Sequence, residues 1–154
     1  CTGCMQCELA CAWVQTGTLQ PSRSLIRVNV FDEEASYAPY TCLQCAEAWC
    51  MTACPVQAIT VDDQTGAKVV IDSLCIGCHL CTLACPFGTV FTLPETKVAT
   101  KCNLCGGSPA CATCCPTKAI QYTDDDATGS WFDEWADRVH SNHLSAFTVT
   151  EGDA

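Results

Sequence analysis

Seventeen of the 154 residues are cysteine, and sixteen of these fall into four runs of four. The first run is Cys1, Cys4, Cys7 and Cys11, and the second is Cys42, Cys45, Cys50 and Cys54. The third is Cys75, Cys78, Cys81 and Cys85, and the fourth is Cys102, Cys105, Cys111 and Cys115. Thiols in such numbers serve disulfides, zinc or iron, and spacing separates the three. Cysteines two or three residues apart are poor disulfide partners but good ligands of one compact centre, and the total is odd. Zinc knuckles are C-x2-C pairs a dozen or more residues apart, whereas here three or four thiols crowd each run. The third run is C-x2-C-x2-C-x3-C-P, the spacing of a 4Fe–4S ligand run. The second and fourth lengthen its middle gap and keep the proline, as Pro55 and Pro116; the first keeps the gaps and has Ala12 instead.

Three thiols at short intervals wrap one corner of a cubane, with backbone N–H groups turned toward its sulfurs. The fourth stands about one helical turn further on and projects toward a neighbouring cluster. Each run therefore serves two clusters, and the runs must work in pairs. The elements that hold them follow. A short helix carries the end of each run, and in the three runs that close in Cys-Pro it stops at the proline. Ile59-Thr60-Val61 and Val69-Val70-Ile71 flank a turn at Asp62 to Gly66 and predict a hairpin. Leu25 to Phe31 alternates as a strand, and Thr92 to Thr100 turns back on itself. Cys54-Pro55-Val56-Gln57-Ala58-Ile59 is repeated as Cys85-Pro86-Phe87-Gly88-Thr89-Val90 and as Cys115-Pro116-Thr117-Lys118-Ala119-Ile120.

Residues 40–93 have the layout of a two-cluster ferredoxin, with half of another on either side. The expected fold is α+β: tandem bacterial two-cluster ferredoxin folds with pseudo-two-fold symmetry, built of short helices and hairpins. An outer unit comprises residues 1–39 and 94–123, and an inner unit comprises 40–93. Residues 124–154 read as an acidic linker (Asp124 to Asp126) and a C-terminal docking helix. Ser130 would cap that helix, with Asp133 and Glu134 in its first turn. Trp131, Trp135, Val139 and His143 share one of its faces, for the core or a partner subunit.

Over residues 1 to about 122 the chain resembles the four-cluster electron-transfer subunits of molybdenum and tungsten oxidoreductases, formate dehydrogenases, hydrogenases and carbon monoxide dehydrogenase. The fourth run, Lys101-Cys102-Asn103-Leu104-Cys105 through Cys111 to Cys115-Pro116-Thr117, has a short middle gap. It is similar to the compact form in small subunits paired with tungsten aldehyde oxidoreductases and in the carbon monoxide dehydrogenase partner. The resemblance implies four 4Fe–4S clusters and pairs the first run with the fourth and the second with the third. One cluster would take Cys1, Cys4, Cys7 and Cys115, and another Cys102, Cys105, Cys111 and Cys11. A third would take Cys42, Cys45, Cys50 and Cys85, and the fourth Cys75, Cys78, Cys81 and Cys54. Cys114 is surplus and adjoins Cys115. Cys115 is favoured as ligand because it precedes proline and keeps the x3 gap, which leaves Cys114 as a small buried hydrophobe.

The resemblance makes the chain a non-catalytic wire between a catalytic subunit and a flavin- or NAD-linked subunit, another carrier or further copies of itself. The preferred partner is a tungsten- or molybdenum-pterin enzyme, an aldehyde oxidoreductase first, and the location cytoplasmic. A free polyferredoxin and an iron–sulfur sensor are the other classes. The balance of 17 Asp and Glu against 7 Lys and Arg excludes a nucleic-acid surface. No apolar stretch approaches the roughly 18 residues of a membrane span. The chain opens at Cys1 without methionine, as expected of a trimmed or partial sequence. Sixteen thiolates and four cores of about +2 would carry the formal charge of −10 to about −18, which favours low potentials. His79, inside the third run, reads as a near-surface group tuning its cluster, and His140 and His143 as a solvated face. No nucleophile–base set, phosphate loop or carboxylate pair emerges. The clusters supply so much of the core that the metal-free chain is expected not to fold.

Overall fold

Wherever a cysteine run ends in proline, its helix is short. The computed structural model describes residues 1–33 and 35–123. In it α2 (Trp49–Thr52), α3 (Leu80–Ala84) and α4 (Ala110–Thr113) each stop short of a Cys-Pro pair. Cys85, just before Pro86, is already extended at φ −81 and ψ 111, because a proline ring crowds the helical conformation of the residue before it. The first run has Ala12 at that position, and α1 (Gln6–Thr16) continues for 11 residues to a left-handed cap at Gly17.

Three antiparallel hairpins join the four runs. Strand β1 (Arg27–Phe31) pairs with β2 (Ser36–Tyr40), β3 (Ile59–Val61) with β4 (Lys68–Val70), and β5 (Phe91–Thr92) with β6 (Ala99–Thr100). Each is a separate two-stranded sheet. The middle hairpin lies where its alternation predicts, with the returning strand beginning one residue earlier. Strand β2 is absent from the sequence reading. Its Pro39, opposite Val28, breaks the strand pattern, and a two-stranded ribbon leaves an outer edge where the missing donor costs nothing. Glu8 fastens α1 to the first hairpin by accepting the Val28 N–H at 2.7 Å.

Helix α1 packs against α4, and α2 against α3 and β3. The apolar core is correspondingly divided. Cys7, Cys11, Leu25 and Ile26 form one buried cluster, with Cys102, Cys111 and Cys114 packed on it. Ile59, Cys81, Val90 and Ala99 form another, with Cys50, Cys75 and Cys85 on it. Thiols make up much of both, so little hydrocarbon is left to hold the fold alone. Cys1–Ile120 is one compact unit. The acidic linker and the expected helix with its tryptophans, His140 and His143 lie outside the described residues. Among the described residues, no helix is long and apolar enough to cross a membrane.

Gly77 joins the third run to the third hairpin. It sits at φ +68, and a Cβ there would lie 2.5 Å from the Lys97 carbonyl oxygen. Gly66, at φ +67, faces open space. Gly66→Ala should therefore cost only the left-handed penalty of about 1 kcal/mol, and Gly77→Ala roughly 2 kcal/mol or more. Thermal loss of the visible iron–sulfur absorbance measures both, and equal midpoints for the two variants would refute the close approach at Lys97.

Candidate metal centres

The cysteines gather by cavity, not by run. Cys42, Cys45 and Cys50 share a cavity of about 320 Å³ with Cys85 of the third run. Cys75, Cys78 and Cys81 line a narrower one with Cys54 of the second. Cys1, Cys4 and Cys7 line another with Cys115 of the fourth. Cys11 and Cys102 lie close enough to Cys111 to act on its charge, as does Cys105. Cys114 stands apart from the Cys115 cavity lining: its thiol points to the Cys111 carbonyl at 3.5 Å and it packs in the apolar cluster. It is still near enough to Cys7 to influence that thiol.

Backbone geometry turns donors toward these sulfurs. The residue before the second cysteine of every run is left-handed: Gly3, Gln44, Gly77 and Leu104. Alternation of right- and left-handed residues builds a nest of N–H groups suited to an anionic centre. A second device follows the prolines, where Gln57, Gly88 and Lys118 are left-handed in equivalent places. That turn brings the Ala58 N–H onto Cys54 Sγ at 3.2 Å. Its counterparts put the Thr89 N–H on Cys85 and the Ala119 N–H on Cys115. The Leu25 N–H reaches Cys11 Sγ at 3.3 Å, and the Ala99 N–H reaches Cys75 Sγ at 3.4 Å.

Some of the thiols are pushed up and others held down. Burial pushes up Cys7, Cys50, Cys81 and Cys102. Cys111 rises furthest, to about 12, through burial and then the thiols of Cys102, Cys11 and Cys105. Cys115 falls to about 7 under the Ile120 N–H, the Thr117 hydroxyl and further backbone donors. For Cys85 burial acts upward, but the Thr89 hydroxyl and the N–H groups of Thr89, Phe87 and Gly88 outweigh it, and the thiol ends lowered. Iron binds thiolate, so loading the raised set releases protons and acid opposes it.

Two polar residues here escaped the sequence reading. Lys101 is buried, 5% exposed, in the wall of the Cys42–Cys85 cavity. Gln44 accepts the Lys68 N–H at 2.9 Å and donates to the Cys102 carbonyl at 2.8 Å, tying the second run to the fourth. The available signal was a lysine directly before a ligand cysteine in a chain with few cations. His79 is exposed in the wall of the Cys75 cavity, and its Nδ1 lies 3.0 Å from Thr92 Oγ1.

Among the described residues, no group of three or more His, Cys, Asp or Glu converges as a site for a single metal ion. The thiols stand around cavities with N–H groups aimed at their sulfurs, which suits a cubane taking one thiolate at each iron. The fold and its thiol-lined cavities thus define an iron–sulfur protein with paired cysteine runs. A family model described as a 4Fe-4S dicluster domain matches residues 33–125, and another of that description matches residues 1–58. The chain belongs to this 4Fe–4S dicluster ferredoxin family, and two such domains account for four 4Fe–4S clusters.

The chain is similar to the polyferredoxin-like subunit of an aliphatic sulfonate oxidoreductase of Pyrococcus furiosus, 42% identical over 75% of this chain and 66% of that protein. It thus spans just under two thirds of that relative. The putative electron transport protein YsaA of Escherichia coli is 38% identical over 80% of this chain and 84% of its own length. The thiosulfate reductase electron transfer subunit PhsB of Salmonella typhi is 33% identical over 79% of this chain and 70% of its own.

The two adjacent thiols of the fourth run have different surroundings, and iron analysis can separate them. Cys114→Ala should retain the full iron of the parent protein. Cys115→Ala should lose about four irons of sixteen, or convert one cluster to a three-iron form seen by electron paramagnetic resonance. The reverse pattern would assign the ligand to Cys114.

Proposed function

We propose that the chain is a non-catalytic electron-transfer subunit of a larger oxidoreductase, its four clusters forming a wire. The observation that carries this reading is the succession of four thiol groups in one compact unit, in a chain of the dicluster family. When bound, each cluster stores one electron at a potential set by local charge, hydrogen bonds to sulfur and exposure. The chain's own residues supply those three influences and keep the sites apart.

The ligand sets of this reading are Cys1, Cys4, Cys7, Cys115; Cys102, Cys105, Cys111, Cys11; Cys42, Cys45, Cys50, Cys85; and Cys75, Cys78, Cys81, Cys54. Shared cavities support three of them, and the neighbours acting on Cys111 support the fourth. The sets divide the chain into an outer unit of residues 1–39 and 94–123 and an inner unit of 40–93, related by a pseudo-two-fold axis. Packing of α1 on α4 and of α2 on α3 supports that division, as does the Arg23 guanidinium clasping Glu95.

The partner is a tungsten- or molybdenum-pterin oxidoreductase. The compact fourth run favours an aldehyde oxidoreductase, and the names of the Pyrococcus and Salmonella relatives favour a sulfur-compound oxidoreductase as the second reading. Purification of the native complex tests both. A large subunit carrying tungsten or molybdenum should accompany the chain, and its substrate should bleach the iron–sulfur absorbance. Bleaching by an aldehyde selects the first reading, and bleaching by a sulfonate or thiosulfate couple the second. A nickel–iron hydrogenase or carbon monoxide dehydrogenase in its place would sink both and leave the wire intact.

A further inference from the structure

Cations are scarce in this chain, and two of its seven line one cavity. Lys101 and Lys68 stand in the wall formed with Cys42, Cys45, Cys50 and Cys85, beside Glu47, whereas neither narrower cavity has a lysine or arginine in its lining. Lys101 is buried, and its Nζ donates to the Lys68 carbonyl, to Gln44 Oε1 at 3.3 Å and to the Cys102 carbonyl at 3.4 Å. Three oxygen acceptors match the three donors of an ammonium. Among the described residues no carboxylate pairs with it; the ion pair formed there is Arg23 with Glu95. A buried charge without a counter-charge is expensive; four thiols share its cavity, and Lys101 is close enough to Cys50 to act on that thiol's charge.

We propose that Lys101 is the internal counter-ion of the cluster held by Cys42, Cys45, Cys50 and Cys85, a positioning charge that raises its potential and makes it the first of the four to be reduced. The inference rests on that ligand set. Four thiolates on a core of about +2 leave a site of about −2, and one-electron reduction takes it to about −3 with no bond made or broken. A fixed positive charge in a water-poor wall favours the more negative form. The Lys68 and Cys102 carbonyls and Gln44 hold the ammonium in place, and Gln44 spans from the second run to the fourth. The same charge thereby lies at the junction through which the inner and outer units exchange electrons.

The test is a dithionite titration of the iron-loaded chain, followed by electron paramagnetic resonance, for the parent, Lys101→Met, Lys101→Gln and Lys101→Arg. With four clusters retained, Met and Gln should shift one midpoint, the highest, to more negative potential and leave the other three in place. Arg should restore it. Should the Met variant lose iron, the Gln and Arg pair makes the same comparison at matched hydrogen bonding. Unchanged midpoints in the neutral variants, or an equal shift of all four, overturn the proposal. Cys42→Ser and Cys85→Ser examine the ligand set separately, since both should perturb one signal. If they perturb two different signals, the ligand set fails while the Lys101 shift is still read. If they agree on a signal that Lys101→Met leaves alone, the ligand set stands and the counter-ion assignment falls.

Discussion

Thiols that must become thiolates together, gathered around shared cavities and partly out of water, repel. That repulsion is the constraint on which the rest of the structure depends. It is visible at Cys111, where burial and three neighbouring thiols push the group up to about 12. Iron cores of about +2 relieve it when bound, and the polypeptide supplies the remainder through oriented N–H groups and a few well-placed cations. Left-handed residues before the second cysteine of each run and after the prolines exist for this purpose. They include Gln44, Gln57, Leu104 and Lys118, where a side chain is carried at a conformational cost for the sake of where the N–H points.

The same constraint explains the economy of the fold. Short helices end where prolines let the last cysteine leave its own loop and face another cavity, and hairpins of two to five residues per strand return the chain to the next run. Longer elements would need a hydrocarbon core that this composition lacks. Two small clusters, each part thiol and part aliphatic, replace it. Metal binding and folding are then one free energy, which is why the cysteine runs, and not the strands, organise the chain.

Charge distribution joins structure to electron flow. A chain of formal charge −10 that gains further negative charge on loading disfavours added electrons everywhere. Against such a background a single buried ammonium has leverage, because it acts in low dielectric at short range and the surface carboxylates do not. The unequal placement of Lys68 and Lys101 therefore adds a charge difference between the sites.

Much of this was legible in the cysteine spacing. The gaps within each run, the Cys-Pro pairs and the thrice-repeated Cys-Pro-x-x-x-x segment dictate local chemistry, and local chemistry depends only on neighbours in sequence. The middle hairpin could be read the same way; the 11-residue length of α1, where each run was expected to carry a short helix, could not. Strand β2 could not, since Pro39 is acceptable in a strand whose outer edge, among the described residues, pairs with nothing further. Nor could the burial of Lys101, because a lysine looks solvated until Gln44 and Lys68, from two distant segments, close around it. Cysteine spacing is enough to point to iron–sulfur clusters, because a ligand run is a local pattern. Tertiary structure alone decided which thiols share a cavity and which cavity holds the cations, because both are set by contacts between residues far apart along the chain.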